Sequence, residues 1–127
     1  MKVLKDLLYT KDHEWVKVEG NKAYIGITDY AQHALGNIVF VELPEADETF
    51  GEGDEFAVIE SVKAASDAYM PITCKILAVN EALDDEPSLL NEDAFENWLV
   101  KVEISDESEL DSLMTPEAYE AFCNEEA

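Results

Sequence analysis

The chain has 127 residues, 47% of them hydrophobic, which suits one compact domain with its own core. It carries 30 acidic residues against 8 lysines and no arginine, for a formal net charge of −22. Such a surface repels phosphate backbones and anionic lipid, which sets aside nucleic acid and membranes as partners.

The charge is uneven. Residues 1–63 hold 13 acids and 6 lysines, or −7, and residues 64–127 hold 17 acids and 2 lysines, or −15. The second half is therefore the face expected to meet a basic partner. Cys74 and Cys123 stand far apart, in no metal or redox spacing, and read as reduced thiols. The opening residues, MKVLKDLLYT, have neither the apolar core of a signal peptide nor the arginines of a transit sequence. A cytoplasmic protein is the expectation.

Two strand-like runs, Trp15–Glu19 and Lys22–Ile27, flank Gly20-Asn21, a pair suited to a tight hairpin because glycine accepts positive φ. A short helix is predicted over residues 28–36, with Thr28 as its cap, Asp29 in its first turn and Gly36 at its end. Ile38–Leu43 reads as a strand stopped by Pro44, followed by an acidic loop over residues 44–53. Phe56, Val58 and Val62 alternate along the next strand, which leads to Lys63. The chain resumes at Ala68 and runs through Ile72, turns near Thr73-Cys74 and returns over Lys75–Val79. Residues 80–93 read as a polar connection. Trp98, Val100, Val102 and Ile104 then share one face of a strand. After Asp106 the period becomes helical, and Thr115 caps a second helix with Pro116 at its first position. The elements suggest an α+β or mainly β fold, the latter preferred, with a short internal helix and a helical C-terminal part at about 106–123, all in a single domain over 1–127.

Lys63 stands out. It is the only lysine between Lys22 and Lys75, at the expected turn ESVKAASD, residues 60–67, between two strands. An isolated amine at a hairpin tip is suited to covalent attachment. Glycine-rich phosphate loops, CxxC and HExxH are absent from the sequence. His13 and His33 have no ligand spacing around them, and no metal site is expected. Cys74 reads as structural.

At ESVKAASD the sequence resembles the glycine cleavage H-protein family, whose members carry lipoyl groups. YTKDHEWVKVEG (residues 9–20), GITDYAQHALGNIVFVELPE (26–45), GDEFAVIESVKAASDAYMPI (53–72), LLNEDAFENWLVKVE (89–103) and DSLMTPEAYEAF (111–122) all resemble family segments, in family order. The resemblance implies a barrel-sandwich hybrid of two antiparallel sheets with the modified lysine on a tight hairpin. It implies lipoate in amide linkage to Lys63. It also implies a carrier role rather than an enzyme. Glycine decarboxylase loads an aminomethyl group, aminomethyltransferase removes it, and dihydrolipoyl dehydrogenase reoxidises the arm. A lipoate ligase or lipoyl transferase attaches the group, and Glu60 is the residue expected to be read by that enzyme. Glu14 and Asp67 are the carboxylates expected to hold the amine of the loaded arm, with His13 helping to line the same cleft. A monomer is expected.

The chain departs from the family pattern at Cys74 and Asp47, where glycines are usual, at Asn37, where aspartate is frequent, and in DAFENW before Trp98. If residue 74 needs positive φ, cysteine is strained there. Three competing readings exist. A biotin carrier usually has methionine on both sides of its lysine, whereas here Val62 and Ala64 flank it. A lipoyl relay, handing lipoyl groups to other enzymes, has the same hairpin. An unmodified β-domain that binds a partner leaves the isolated lysine unexplained.

Overall fold

A computed structural model describes residues 2–126 of the chain. Nine strands form two antiparallel sheets. In chain order the elements begin with β1 (Leu8–Tyr9), β2 (Glu14–Glu19), β3 (Lys22–Ile27), α1 (Asp29–Leu35), β4 (Ile38–Glu42) and β5 (Thr49–Phe50). They continue with β6 (Glu55–Ser61), β7 (Ala65–Tyr69), β8 (Cys74–Val79), α2 (Ala82–Asp85), α3 (Leu89–Glu92) and β9 (Val100–Ile104). A 3₁₀ turn at Glu107–Ser112 and α4 (Pro116–Glu126) complete the described chain. One sheet has the order β1-β2-β3-β9-β8-β5, the other β4-β6-β7. The mainly β expectation, with a short internal helix and a helical end, holds.

Local chemistry explains most boundaries. Gly20 turns the β2–β3 hairpin at φ 66°. The Thr28 hydroxyl accepts from the Ala31 amide, and Gly36, at φ 81°, ends α1 by donating to the Gln32 carbonyl. The Thr115 hydroxyl accepts from the Ala118 amide, with Pro116 in the first turn of α4 as expected. Between the sheets lie Val16, Ile25, Ile38, Val41, Ile59, Ile72, Ile76, Val100 and Val102, all buried. A second cluster of Leu7, Tyr9, Trp15, Tyr119 and Cys123 seals α4 against β1 and β2. There the Tyr9 and Tyr119 rings stack at 4.5 Å.

Several expectations need correction. β7 begins at Ala65, not Ala68, and ends at Tyr69, so Ile72 lies in the core beyond the strand. Residues 80–93 are not simply a polar connection, because α2 and α3 bury Leu83 and Leu90. Trp98 precedes β9 and is half-buried, edge-on to Tyr24 at 5.2 Å. Phe56, Val58 and Val62 do not share a face: a register shift between Glu55 and Ala57 buries both Phe56 and Ala57, while Val62 is 71% exposed. Bulges break the alternation on which such readings depend.

The departures from family pattern are absorbed. Cys74 opens β8, paired with Phe50 and Ile104, and it is not among the residues with positive φ. Asp47 does take the left-handed conformation, at φ 73°, which aspartate tolerates better than most side chains. In DAFENW the Asp93 carboxylate accepts from the Phe95 and Glu96 amides, and the Asn97 side chain donates to the Leu89 and Asp93 carbonyls. Polar side chains close this turn without glycine.

Candidate functional site

The β6–β7 hairpin carries Lys63 at its tip, exposed as expected. Glu60 pairs with Ala65, and the Ser61 amide donates to the Ala64 carbonyl at 2.7 Å. The Ser61 hydroxyl braces the turn from within: it accepts from the Lys63 and Ala64 amides at 3.3 and 3.1 Å and lies 3.2 Å from the Ala64 carbonyl, to which it donates. This is a local side chain–backbone motif that serine favours.

The tip is also tied to the end of α1. The Val62 amide donates to the Asn37 carbonyl at 3.0 Å. This contact uses only the backbone of residue 37, so asparagine serves as well as aspartate. Asn91 fastens the same segment from α3. Its side-chain oxygen accepts from the Ile38 amide at 2.9 Å, and its nitrogen donates to the Gly36 carbonyl at 2.8 Å and to the Gln32 side chain at 2.9 Å. The Lys63 stem lies over Gly36, where a β-carbon would stand 3.4 Å from Cε. Glycine is favoured there by its φ of 81°, while the stem by itself would meet a β-carbon only at ordinary contact distance. Neither Ser61 nor Asn91 was singled out from sequence. A serine two positions before the lysine is a weak local signal, and Asn91 has none, because its partners are 53 to 59 residues away.

From the tip, β7 runs to Tyr69, which forms one wall of a cleft of about 470 Å³. Thr10, Lys11, Asp12, Glu14, Met70 and Leu113 also line it. At ~3.3 Å per strand residue the run from Ala65 to Tyr69 spans about 13 Å. Glu14 faces this cleft but is only 2% exposed. Its Oε1 accepts from the Thr10 hydroxyl at 2.6 Å and its Oε2 from the Tyr69 amide at 3.1 Å. Burial pushes its pKa up to about 7; those two hydrogen bonds oppose the shift, and the neighbouring Asp12 adds to it. The sequence could not show that Glu14 is a buried carboxyl, because the Tyr69 amide that bonds it comes from 55 residues away.

The other predicted residues lie elsewhere. Asp67 is exposed on the outer face of β7, opposite Val58, and hydrogen-bonds Glu55. It lies between the tip and the cleft but does not line the cleft with Glu14. Glu60 is exposed on the same outer face, opposite Phe40. His13 turns away from the cleft. At φ 67° its ring stacks on Tyr30 at 4.4 Å, and its Nδ1 hydrogen-bonds the Tyr119 hydroxyl at 2.8 Å. It is part of the seal beneath α4, and its left-handed backbone sends the side chain opposite to the expected way.

The model of the family described as glycine cleavage H-protein matches residues 7–126. The chain belongs to the glycine cleavage H-protein family. It is 65% identical over 127 residues to the glycine cleavage system H protein of Alkaliphilus oremlandii, covering all of both chains. The glycine cleavage system H protein of Thermoanaerobacter sp. is 60% identical over 126 residues, covering 99% of this chain and 100% of the relative. The crystal structure of a glycine cleavage system H protein from Mycobacterium marinum is similar in fold, with a TM-score of 0.85, 32% identity and 98% of each chain covered. That similarity agrees with the barrel-sandwich architecture expected for the H-protein family.

Proposed function

We propose that this chain is the lipoyl carrier of a glycine cleavage system, with lipoate attached to Lys63. The observation that carries the reading is an exposed lysine at a hairpin tip braced by Ser61, in a chain of this family. The hairpin fits the group: the amine is accessible, Ala64 and Ala65 leave it unobstructed, and Gly36 leaves room for the stem. Attachment requires the Lys63 nitrogen to attack the carbonyl carbon of an activated lipoyl ester or thioester. A C–N bond forms, the activating group leaves, and the nitrogen gives up a proton. Once bound, the dithiolane supplies thiol–disulfide chemistry and a sulfur that can carry a one-carbon amine.

The protein's own part is placement. Lys63 roots the arm, Ser61 and Asn91 hold its root, and the cleft receives its end. Glu14 is suited to accept a charge-assisted hydrogen bond from a cationic amine there, since each of its oxygens has a lone pair beyond those used by Thr10 and Tyr69. Asp67 lies beside the route from tip to cleft and attracts the same amine in passing. Glu60 serves recognition by the lipoate ligase or lipoyl transferase. The carrier, acting as a monomeric single domain in the cytoplasm, takes an aminomethyl group from glycine decarboxylase to aminomethyltransferase. Dihydrolipoyl dehydrogenase then reoxidises it. It is a protein substrate in this cycle and not a catalyst.

The test has two steps. Protein made with lipoate and a ligase is weighed intact and mapped by peptide; one lipoyl adduct at Lys63 is expected, and a biotin adduct or none refutes the attachment. The lipoylated protein is then mixed with glycine decarboxylase, and exchange of the glycine carboxyl with labelled bicarbonate is followed. Lipoylation without exchange would move the assignment to a lipoyl relay.

A further inference from the structure

The outer face of the β4-β6-β7 sheet has no covering layer in the residues that pair across it, and it is unusual in two ways. Directly opposed residues of an antiparallel pair point to the same side. The Phe40–Glu60–Ala65 row and the Glu42–Val58–Asp67 row therefore share this face, while Val41 and Ile59 point into the core.

The first peculiarity is apolar. In a regular strand Ile38 and Phe40 would lie on one side. A register shift between them buries Ile38 and turns Val39 and Phe40 outward, 53% and 46% exposed. Val62, 71% exposed, adjoins them at the tip, since its amide bonds to Asn37 just before β4. Three of the large exposed apolar side chains thus gather beside Lys63. A regular strand would have left Phe40 on the same side as Ile38, so the bulge is what creates this ridge.

The second peculiarity is electrostatic. Glu60 stands opposite Phe40 in the ridge, and Glu42, Asp67 and Glu55 continue the face away from the tip, with Glu55 and Asp67 close enough to hydrogen-bond. Among the described residues Lys63 is the only lysine of this hairpin and β4. The rest lie near the N-terminus or on the strands of the larger sheet. A partner seated here needs an apolar recess with a basic rim. A second copy would set carboxylate against carboxylate and is disfavoured.

We propose that this face, with the Val39–Phe40–Val62 ridge at its lysine end, is the docking surface for the enzyme that forms the amide at Lys63. The choice of occupant follows from reach. An enzyme acting on the dithiolane works at the far end of a long arm, whereas one acting on the amine must close upon the hairpin itself. The inference rests on Lys63 as the attachment site and extends the recognition role of Glu60 to a surface.

The experiment measures kcat/KM for lipoylation of the unmodified full chain by a lipoate ligase, read by intact mass. Phe40→Ser is expected to lower kcat/KM about tenfold, mostly through KM, as loss of an interface anchor does. Glu42→Lys is expected to lower it less and to flatten its salt dependence. Val18→Ser, at an exposed apolar site on β2, leaves it unchanged. Thermal unfolding checks that each variant is folded, which exposed positions permit. Once fully lipoylated by long incubation, Phe40→Ser is expected to support glycine carboxyl exchange at the wild-type rate. Wild-type kcat/KM in both Phe40→Ser and Glu42→Lys overturns the proposal. So does an equal loss in the exchange assay, or a self-association in wild type that Phe40→Ser abolishes. Failure of wild type to acquire any adduct at Lys63 overturns instead the attachment on which the proposal rests.

Discussion

Replacing Glu14 by glutamine tests the cleft through stability as well as function. The carboxyl is nearly solvent-free, and its pKa rises from 4.5 to about 7, chiefly by burial. Below pH 4.5 both the folded and unfolded chains hold this proton, and the group contributes no penalty. Between 4.5 and 7 the unfolded chain releases the proton while the folded chain keeps it, so stability falls as pH rises. Above 7 the folded protein holds a buried charge, and the deficit is complete. At 1.36 kcal/mol per pKa unit, the shift corresponds to on the order of 3 kcal/mol. Glutamine keeps the shape without the charge; its oxygen can accept from the Tyr69 amide and its nitrogen can donate to the Thr10 hydroxyl. Urea unfolding followed by fluorescence of buried Trp15, on wild type and Glu14→Gln from pH 4 to 8.5, isolates the group from the other carboxylates. The variant should gain on wild type by about 3 kcal/mol across that range. A difference that stays constant with pH would refute the buried-charge account. The same substitution should shorten the lifetime of an amine held in the cleft by about tenfold or more, since a charge-assisted hydrogen bond contributes roughly 1.5–3 kcal/mol.

Other substitutions probe the frame. Tyr119→Phe removes the hydroxyl that joins Thr28 at 2.7 Å and His13 at 2.8 Å, and should lower stability by about 1–3 kcal/mol in denaturant titration. Gly26→Ala places a β-carbon 2.7 Å from the Trp15 ring, on the cross-strand partner of Gly26, and should cost about 1–3 kcal/mol and shift the near-ultraviolet tryptophan signal. Asn91→Ala frees the segment under Lys63; hydrogen exchange at the Ile38 and Val62 amides should quicken while exchange in β2 and β3 stays slow. Cys74 and Cys123 are both buried, and burial pushes the Cys74 thiol up to about 12. Thiol labelling of the native protein should therefore be slow at pH 8 and complete on unfolding.

The parts legible beforehand are those with local causes. The β2–β3 turn follows from Gly20, the limits of α1 from Thr28 and Gly36, and the start of α4 from Thr115 and Pro116. Lys63 was legible because its neighbours along the chain carry the signal. What failed depended on bulges or distant partners. Val62 was expected in register with Phe56, but the register shift in β6 intervenes. His13 was expected at the cleft, but its positive φ directs it to Tyr30 and Tyr119. Strain at Cys74 hinged on a positive φ, and Cys74 is not among the residues that take one.

By itself the sequence determined the isolated lysine at the hairpin, the family, the acidic surface and the order of most strands. These depend on side-chain type and short-range backbone preference. The tertiary structure decided where the acids lie and how buried each one is. Glu14 becomes a buried carboxyl held by the Thr10 hydroxyl and the Tyr69 amide, and Asp67 is set apart on an outer face because β7 alternates. It also decided that Phe40 is exposed, through a one-residue shift that pattern alone does not reveal. Burial and register are properties of the assembled sheets, and a carboxylate acquires its character from the partners that those sheets bring to it.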